Sequence, residues 1–261
     1  MVFINKNPYQ DTEKIEERAI EILNNFGYDI TDDPQKADLA LSIGGDGTFL
    51  DTIKLAPNAN IIGINKGTLG YLAEVEVEDL EKALTSYVNG QYKIQKRMMI
   101  DCMTQNIDGV DGSPYYLTAL NDIVVTKRNS SVIDVEIIVD NCLVTKYYAD
   151  GIIVSTPTGS TGYAFSCGCP IIDPTSEMMI ITPIAPHSIM NRSICVSPNS
   201  GISIKVVNAR DDDAFRLDVD GNKHIVELGN SIHITKSSNV TRMVKFAPNT
   251  SFLDRIMQKM S

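Results

Sequence analysis

No stretch of this 261-residue chain is a run of lysine or arginine, and its formal net charge is -10. An acidic chain without a basic patch makes nucleic acid and anionic membrane poor partners. No apolar run approaches the ~20 residues of a membrane-spanning helix. Met1-Val2-Phe3-Ile4-Asn5-Lys6 has neither the basic start nor the long apolar stretch of a signal peptide. The cysteines are Cys102, Cys142, Cys167, Cys169 and Cys195, an odd number in a chain long enough to bury a full core without staples. A soluble protein of the reducing cytoplasm is expected. Cys167-Gly168-Cys169 lacks the spacing and the second pair that zinc requires.

Two nucleotide-binding motifs are also missing. There is no Gly-x-x-x-x-Gly-Lys-Ser/Thr loop, which argues against an ordinary P-loop enzyme. Gly-x-Gly-x-x-Gly fails at Leu50, where its third glycine should stand, and Asn65-Lys66 occupies the place of a dehydrogenase's ribose-binding acid.

What is present is Gly44-Gly45-Asp46-Gly47-Thr48, between the apolar run Leu39-Ala40-Leu41-Ser42-Ile43 and a segment that reads as helix from Thr48 to about Leu55. Such a strand, glycine turn and helix start expose backbone N–H groups that an anion can approach. Asp46 would repel a phosphate unless it binds the accompanying cation or takes a proton from an attacking hydroxyl. The plainer alternative is an aspartate that bonds the backbone of its own turn.

Around this loop the pattern alternates strands and helices. Val2-Phe3-Ile4 is β-prone, and Asp11 can cap a helix with Ile15, Ala19, Ile22, Leu23 and Phe26 on one face, stopped by Gly27. Ile61-Ile62-Gly63-Ile64 reads as a buried strand ending in the loop Asn65-Lys66-Gly67-Thr68-Leu69-Gly70. A helix with Leu80, Ala83, Leu84, Tyr87 and Val88 on one face follows, closed by Gly90. A parallel sheet covered on both sides is implied, with ligands at the carboxyl ends of its strands.

After Gln91 strands take over. Ile133, Val135, Ile137 and Val139 alternate, Asp140-Asn141 offers a tight turn, and Ile202, Ile204 and Val206, Leu217 and Val219, and Ile232 and Ile234 repeat the pattern. A β-rich, mostly antiparallel region is expected. Beyond Pro248, Thr250 or Ser251 can cap a last helix with Leu253, Ile256, Met257 and Met260 on one face. The domains read as 1–97 plus 248–261, and 98–247.

In that second region Thr156-Pro157-Thr158-Gly159-Ser160-Thr161-Gly162-Tyr163 follows the apolar strand Ile152-Ile153-Val154. Its hydroxyls and glycines suit phosphate or ribose oxygens, or a structural turn equally. Asn121-Asp122 and Asp150-Gly151 place carboxylates beside buried runs, where they must be satisfied locally or held for a ligand's hydroxyls. Thr182-Pro183-Ile184-Ala185-Pro186-His187-Ser188 is too proline-rich for regular structure, and His187 reads as a structural histidine.

Taken in this order, the Gly-Gly-Asp-Gly-Thr loop, the Asn-acid pair, the Thr-Pro-Thr-Gly-Ser-Thr loop and the Thr-Pro-Ile-Ala-Pro-His stretch resemble the NAD kinase family over nearly the whole chain. The first loop alone is shared with diacylglycerol, sphingosine and phosphofructokinase relatives. The resemblance implies an α/β N-terminal domain with a parallel sheet, a β-rich C-terminal domain, and a last helix returning to the first. It implies phosphoryl transfer from ATP or polyphosphate to the adenosine 2′-hydroxyl of NAD, giving NADP, with Mg²⁺ or another divalent cation and a dimer or tetramer.

Carried over residue by residue, Asp46 is the general base with Gly47 in the same loop, and Asn121 and Asp122 are the pair that contacts NAD. Asp150 is an acid at the nicotinamide end, and Thr161, Gly162, Tyr163, Ala164, Phe165 and Ser166 form the nucleotide-contacting turn. Ala185 and Asn222 are further contacts. Where many members carry arginine two residues before that acid, Tyr148 stands here, and Lys146 is the substitute for the lost phosphate contact. The metal ligands stay open, because several acids could reach a cation through water. A lipid kinase of the same superfamily and a silent NAD or NADP sensor are the alternative readings.

Overall fold

The structure, a computed structural model, describes residues 1–67, 70–109, 112–210, 212–246, 252, 254, 256 and 257. Contacts divide the chain into two units, Met1–Arg97 with the chain from Thr241 onward, and Met98–Val240.

In the first unit, β1 (Val2–Lys6), α1 (Glu13–Asn25), β2 (Leu39–Gly44), α2 (Asp46–Leu55), β3 (Asn60–Asn65), β4 (Val75–Glu76) and α3 (Leu80–Val88) follow one another. The first three strands pair in parallel, in the order of the chain. Ile15, Ala19 and Leu23 of α1 are buried at the spacing of a helix face, and with Leu80, Ala83 and Leu84 of α3 they join the strand residues Leu39, Leu41, Ile43, Ile62 and Ile64 in one core. Thr12, one residue after the expected cap, stands at the N-terminus of α1, and Gly27 ends the helix with φ of +77°. Because β2 and β3 align Gly44 with Asn65, the loops that leave their carboxyl ends start side by side.

The chain leaves this unit through β5 (Tyr92–Thr104) and builds β6 (Tyr115–Ala119), β7 (Asp122–Thr126), β8 (Ile133–Val139), β9 (Cys142–Ala149), β10 (Gly151–Ser155), α4 (Tyr163–Ser166), β11 (Met179–Ile184), β12 (Ile194–Val196), β13 (Ile202–Asn208), β14 (Ala214–Val219), β15 (Asn222–Glu227) and β16 (Ser231–Phe246). The second unit has one sheet in the order β12-β11-β10-β7-β14-β15, while β8 lies between β9 and β13, and β13 pairs with the first half of β16. Every one of these pairings is antiparallel. Asp140 and Asn141 make the β8–β9 turn with φ of +50° and +65°, the left-handed geometry that a two-residue hairpin demands. Alternate residues of β7, β8, β10, β13, β14 and β16 point into one core, where Ile123, Ile137, Val154, Ile204, Leu217 and Ile232 are buried.

The other face of the six-stranded sheet carries Val124, Ile153, Ile180 and Ile184, with Ala164 of α4 and Cys169 packed on it. This explains why β7 and β10 read as unbroken apolar runs.

One point departs from the alternation pattern. β16 is one strand of sixteen residues whose end, from Thr241 onward, belongs to the first unit, where Arg242 and Met243 pair in parallel with Asn60 and Ile61. Of the expected terminal helix, Phe252, Asp254, Ile256 and Met257 are helical and Ile256 is buried. Thr250, Ser251, Leu253 and Met260, and Thr68 and Leu69 of the earlier loop, lie outside the described residues.

Candidate active site

In the first unit the turn from β2 into α2 is built by contact. A Cβ on Gly44 would stand 2.4 Å from Thr48 Oγ1, so the strand can meet the helix only without a side chain there. Gly45 is the N-cap and Asp46 the first residue of α2, two positions earlier than the helix start expected at Thr48. Among the described residues nothing lies within 4 Å of a Cβ built on Gly45 or Gly47, so these residues leave the first turn of α2 open, with its N–H groups and the positive end of the helix dipole.

Asp46 does not bond its own turn. Its Oδ2 accepts from the Tyr71 N–H at 2.9 Å, and its Oδ1 from Leu72 at 2.9 Å and Ala73 at 3.4 Å. These partners lie 25 to 27 residues away in sequence. A carboxylate offers about four acceptor positions, so Oδ2 keeps capacity for a further donor. Gly70 makes the approach possible, because a Cβ there would fall 2.2 Å from Asp46 Oδ1. Burial raises the Tyr71 phenol pKa, and the negative charge of Asp46 adds to the shift.

In the second unit Asn121 sits in the β6–β7 turn and Asp122 opens β7, 7% exposed. Burial first, then the charges of Asp220 and Asp218, push the Asp122 carboxyl up to about 7. It faces an open pocket of about 450 Å³ lined also by Asp150, Tyr163, Lys127, Arg216 and Lys223. Lys127 Nζ meets Asp150 Oδ1 at 2.6 Å. Asp150 is placed there by Gly151, whose missing Cβ would collide with the Val125 carbonyl at 2.3 Å.

The Thr156–Tyr163 loop packs on the same turn. The Thr156 hydroxyl donates to the Leu120 carbonyl at 2.5 Å, the Ser160 hydroxyl to the Pro157 carbonyl at 2.7 Å, and the Thr161 hydroxyl to the Thr158 carbonyl at 3.2 Å. These hydroxyl protons hold the loop together, which is the structural side of the two readings the loop allowed. Gly159 is required, since a Cβ would lie 2.1 Å from the Asn121 carbonyl oxygen. Gly162 brings the backbone to Asp122, whose Oδ2 is 3.6 Å from where its Cβ would be.

The residues named from sequence therefore divide. Asn121, Asp122, Asp150, Gly162 and Tyr163 stand together, with Ala164 buried beneath them and Thr161 in the same loop. Tyr163, Phe165 and Ser166 are exposed on α4. Ala185, with φ of +44°, follows β11, and Asn222 follows the Asp220-Gly221 turn; neither lines the pocket. Lys146 is on β9, paired with Glu136 at 2.6 Å and largely exposed. Tyr148 carries the Arg210 guanidinium over its ring at 4.8 Å and the edge of His187 at 5.4 Å. Lys127, Arg216, Asp218, Asp220 and Lys223 were missed. The signal was the period of two in β7 and β14, which puts Asp122, Val124 and Thr126 beside Arg216 and Asp218 on one face.

A family model described as the ATP-NAD kinase N-terminal domain matches residues 4–92, and one described as the ATP-NAD kinase C-terminal domain matches residues 120–246. The chain belongs to the NAD kinase family. An NAD kinase of Clostridium botulinum (strain Loch Maree / Type A3) is 39% identical over 244 residues, 92% of this chain and 84% of that protein. One of Thermoanaerobacter sp. (strain X514) is 36% identical over 242 residues, covering 91% and 83%. Among solved structures, an NAD kinase from Archaeoglobus fulgidus in complex with ATP matches with a TM-score of 0.78 and 27% identity over 99% of this chain and 98% of that one. The yeast NADH kinase complexed with NADH shares the fold, with a TM-score of 0.86 and 22% identity over 98% and 85%. As an NAD kinase family member the chain is a phosphotransferase, an α/β unit followed by a β-rich one.

Proposed function

We propose that this NAD kinase transfers the terminal phosphoryl group of ATP, or of polyphosphate, to the 2′-hydroxyl of the adenosine ribose of NAD, forming NADP. The observation that carries the reading is Asp46. Its carboxylate is fixed by three backbone N–H groups and keeps acceptor capacity on Oδ2, beside an open glycine helix start. In this reading Oδ2 takes the ribose hydroxyl proton while the oxygen bonds phosphorus, and the bond to the departing ADP oxygen breaks with its electron pair. The free N–H groups at the start of α2 offset phosphate charge, and Gly47 leaves room for it.

The nucleotide contacts are assigned to Asn121, Asp122, Asp150, the turn Thr161–Ser166, Ala185 and Asn222. Lys146 would have to leave Glu136 to reach a phosphate, whereas Arg216 and Lys223 already line the pocket, so these two carry the pyrophosphate. Among the described residues no group of three or more His, Cys, Asp or Glu side chains could hold a metal ion. The described residues do not fit a resident cation, and Mg²⁺ enters as part of the Mg–ATP substrate. The cytoplasm and a dimer or tetramer complete the proposal, the latter read by light scattering.

The test is to incubate purified protein with Mg–ATP, or with polyphosphate, and NAD. NADP carrying the new phosphate on the 2′-oxygen, located by ³¹P–¹H correlation, is the expected product. A folded protein that makes no NADP above background with either donor overturns the reading.

A further inference from the structure

Three aspartates of the second unit, Asp108, Asp140 and Asp220, have left-handed backbones with φ of +52°, +50° and +48°. Asparagine or glycine adopts that geometry more easily, so each aspartate needs a reason in its carboxylate. Asp220, at the β14–β15 turn, accepts from three successive N–H groups nearly a hundred residues earlier. Its Oδ2 takes Leu120 at 2.7 Å, and its Oδ1 takes Asn121 at 2.9 Å and Asp122 at 3.1 Å. Its own N–H returns to the Asp122 carbonyl at 3.2 Å. Thr156 takes the remaining carbonyls, Leu120 by its hydroxyl and Asn121 by its N–H. The main-chain polar groups of Leu120, Asn121 and Asp122 are thus all paired, most of them by one residue.

We propose that Asp220 is the positioning residue of the nucleotide contact: by gathering the N–H groups of Leu120, Asn121 and Asp122 on its carboxylate, it sets the direction in which Asn121 and Asp122 meet NAD. This rests on the reading of Asn121 and Asp122 given above and deepens it. Asparagine at 220 would suit the turn and would spare Asp122 a negative neighbour, but it has a single acceptor oxygen for three donors. The acid keeps the geometry at the expense of repulsion, and the repulsion is measurable. Asp122 faces Asp220 from the β14–β15 turn, Asp218 and Arg216 from β14, and Lys223 from β15. Lys127 after β7, Asp150 before β10, Tyr163 of α4 and Cys167 after it complete its charged and titratable surroundings.

The experiment compares Asp220→Asn with Asp140→Asn, a control at the β8–β9 turn. Asp140 uses the same device on Gly201 N–H at 2.8 Å and Ser200 Oγ at 2.9 Å, and does not line the pocket of Asp122. Loss of charge-assisted hydrogen bonds to Asp220 raises KM for NAD by about tenfold or more, with KM for ATP within about twofold. In wild type, KM for NAD rises as pH falls through about 7, where Asp122 gains a proton. In Asp220→Asn that midpoint moves to lower pH, because one negative neighbour is gone. Asp140→Asn lowers melting temperature and leaves both readouts in place. If Asp220→Asn does not fold, Asp220→Glu, which keeps the charge and displaces the oxygens, raises KM for NAD while leaving the midpoint unmoved.

Unchanged KM for NAD in the folded Asp220 variant, or equal changes in both turn variants, overturns the proposal. Calorimetric NAD affinities measured on the same proteins carry the same comparison without turnover. A wild type that binds NAD and makes no NADP sinks the kinase reading alone, and one that does not bind NAD sinks both.

Discussion

Asp46 meets two demands that pull in opposite directions. Hydrogen bonds from Tyr71, Leu72 and Ala73 hold its carboxylate in place, while the proposed role as base needs Oδ2 open to a ribose hydroxyl. Asp46→Asn removes the proposed base and leaves one acceptor oxygen for the segment, so kcat falls by about 10² or more with the fold kept, read from NADP formation and a circular-dichroism melt. A loss under tenfold would reduce Asp46 to a structural tie. Gly70→Ala forces the segment away from Oδ1 and destabilises by about 1–3 kcal/mol in a urea titration. At Asp122 the sign of the pH effect can be worked out. Its folded pKa, about 7, lies above the ordinary carboxylate value of 3.8, so the folded state binds the extra proton, and stability is lost as pH rises between those values. Wild type should therefore lose more stability than Asp122→Asn between pH 4 and 7, measured by urea midpoints, and parallel curves would mean that the group is ionised throughout. Asp46 could be picked from sequence because a carboxylate inside a glycine turn is chemically conspicuous. Asp220 could not, because its partners are main-chain N–H groups that no side-chain pattern announces.

The short elements around the site use glycine for two different purposes, and substitution separates them. Gly44 is demanded by the close passage of Thr48 at the junction of β2 and α2, so Gly44→Ala destabilises the junction. Gly47 lies inside the ten-residue helix α2 with open space around it, so alanine there fits the fold better than glycine does. Gly47→Ala should stabilise by up to about 1 kcal/mol through helix propensity and still lower kcat/KM, because the methyl group occupies room a phosphate needs. Raised stability with undiminished activity would show that the open turn serves no ligand. The pattern 3.6 gave α1 and α3 their buried faces, and the period of two gave the strands of the second unit, because burial on one side writes itself into local sequence. Which strands lie next to one another is not written locally. Arg216, Asp218 and Lys223 come to Asp122 only through the pairing of β14 with β7 and β15, so these stayed hidden while Asp122 and Asp150 did not. The serines and threonines of the 156–161 loop announced a polar turn but not that their protons point inward.

At the scale of the molecule, the change from alternating strands and helices to unbroken strands was visible because each architecture imposes its own period over many residues. The dual service of β16 was not, since half of a regular strand looks like the other half. The same scale separates the three functions that the sequence motifs allowed. A ligand that binds only the folded chain stabilises it by RT ln(1 + [L]/Kd), about 2.7 kcal/mol at a hundredfold excess over Kd. For an NAD kinase, NAD at that excess raises the melting temperature of the whole chain, and adding Mg–ATP converts NAD to NADP. A silent sensor gives the thermal shift and no product, and a lipid kinase of the same superfamily gives no shift with NAD and phosphorylates a lipid alcohol instead. The formal net charge of -10 and the absence of any basic run argue against the last, since a headgroup surface attracts such kinases through lysine and arginine. Thermal shifts with NAD, NADP and ATP, paired with a product assay on the same preparation, therefore decide among binding, catalysis and neither.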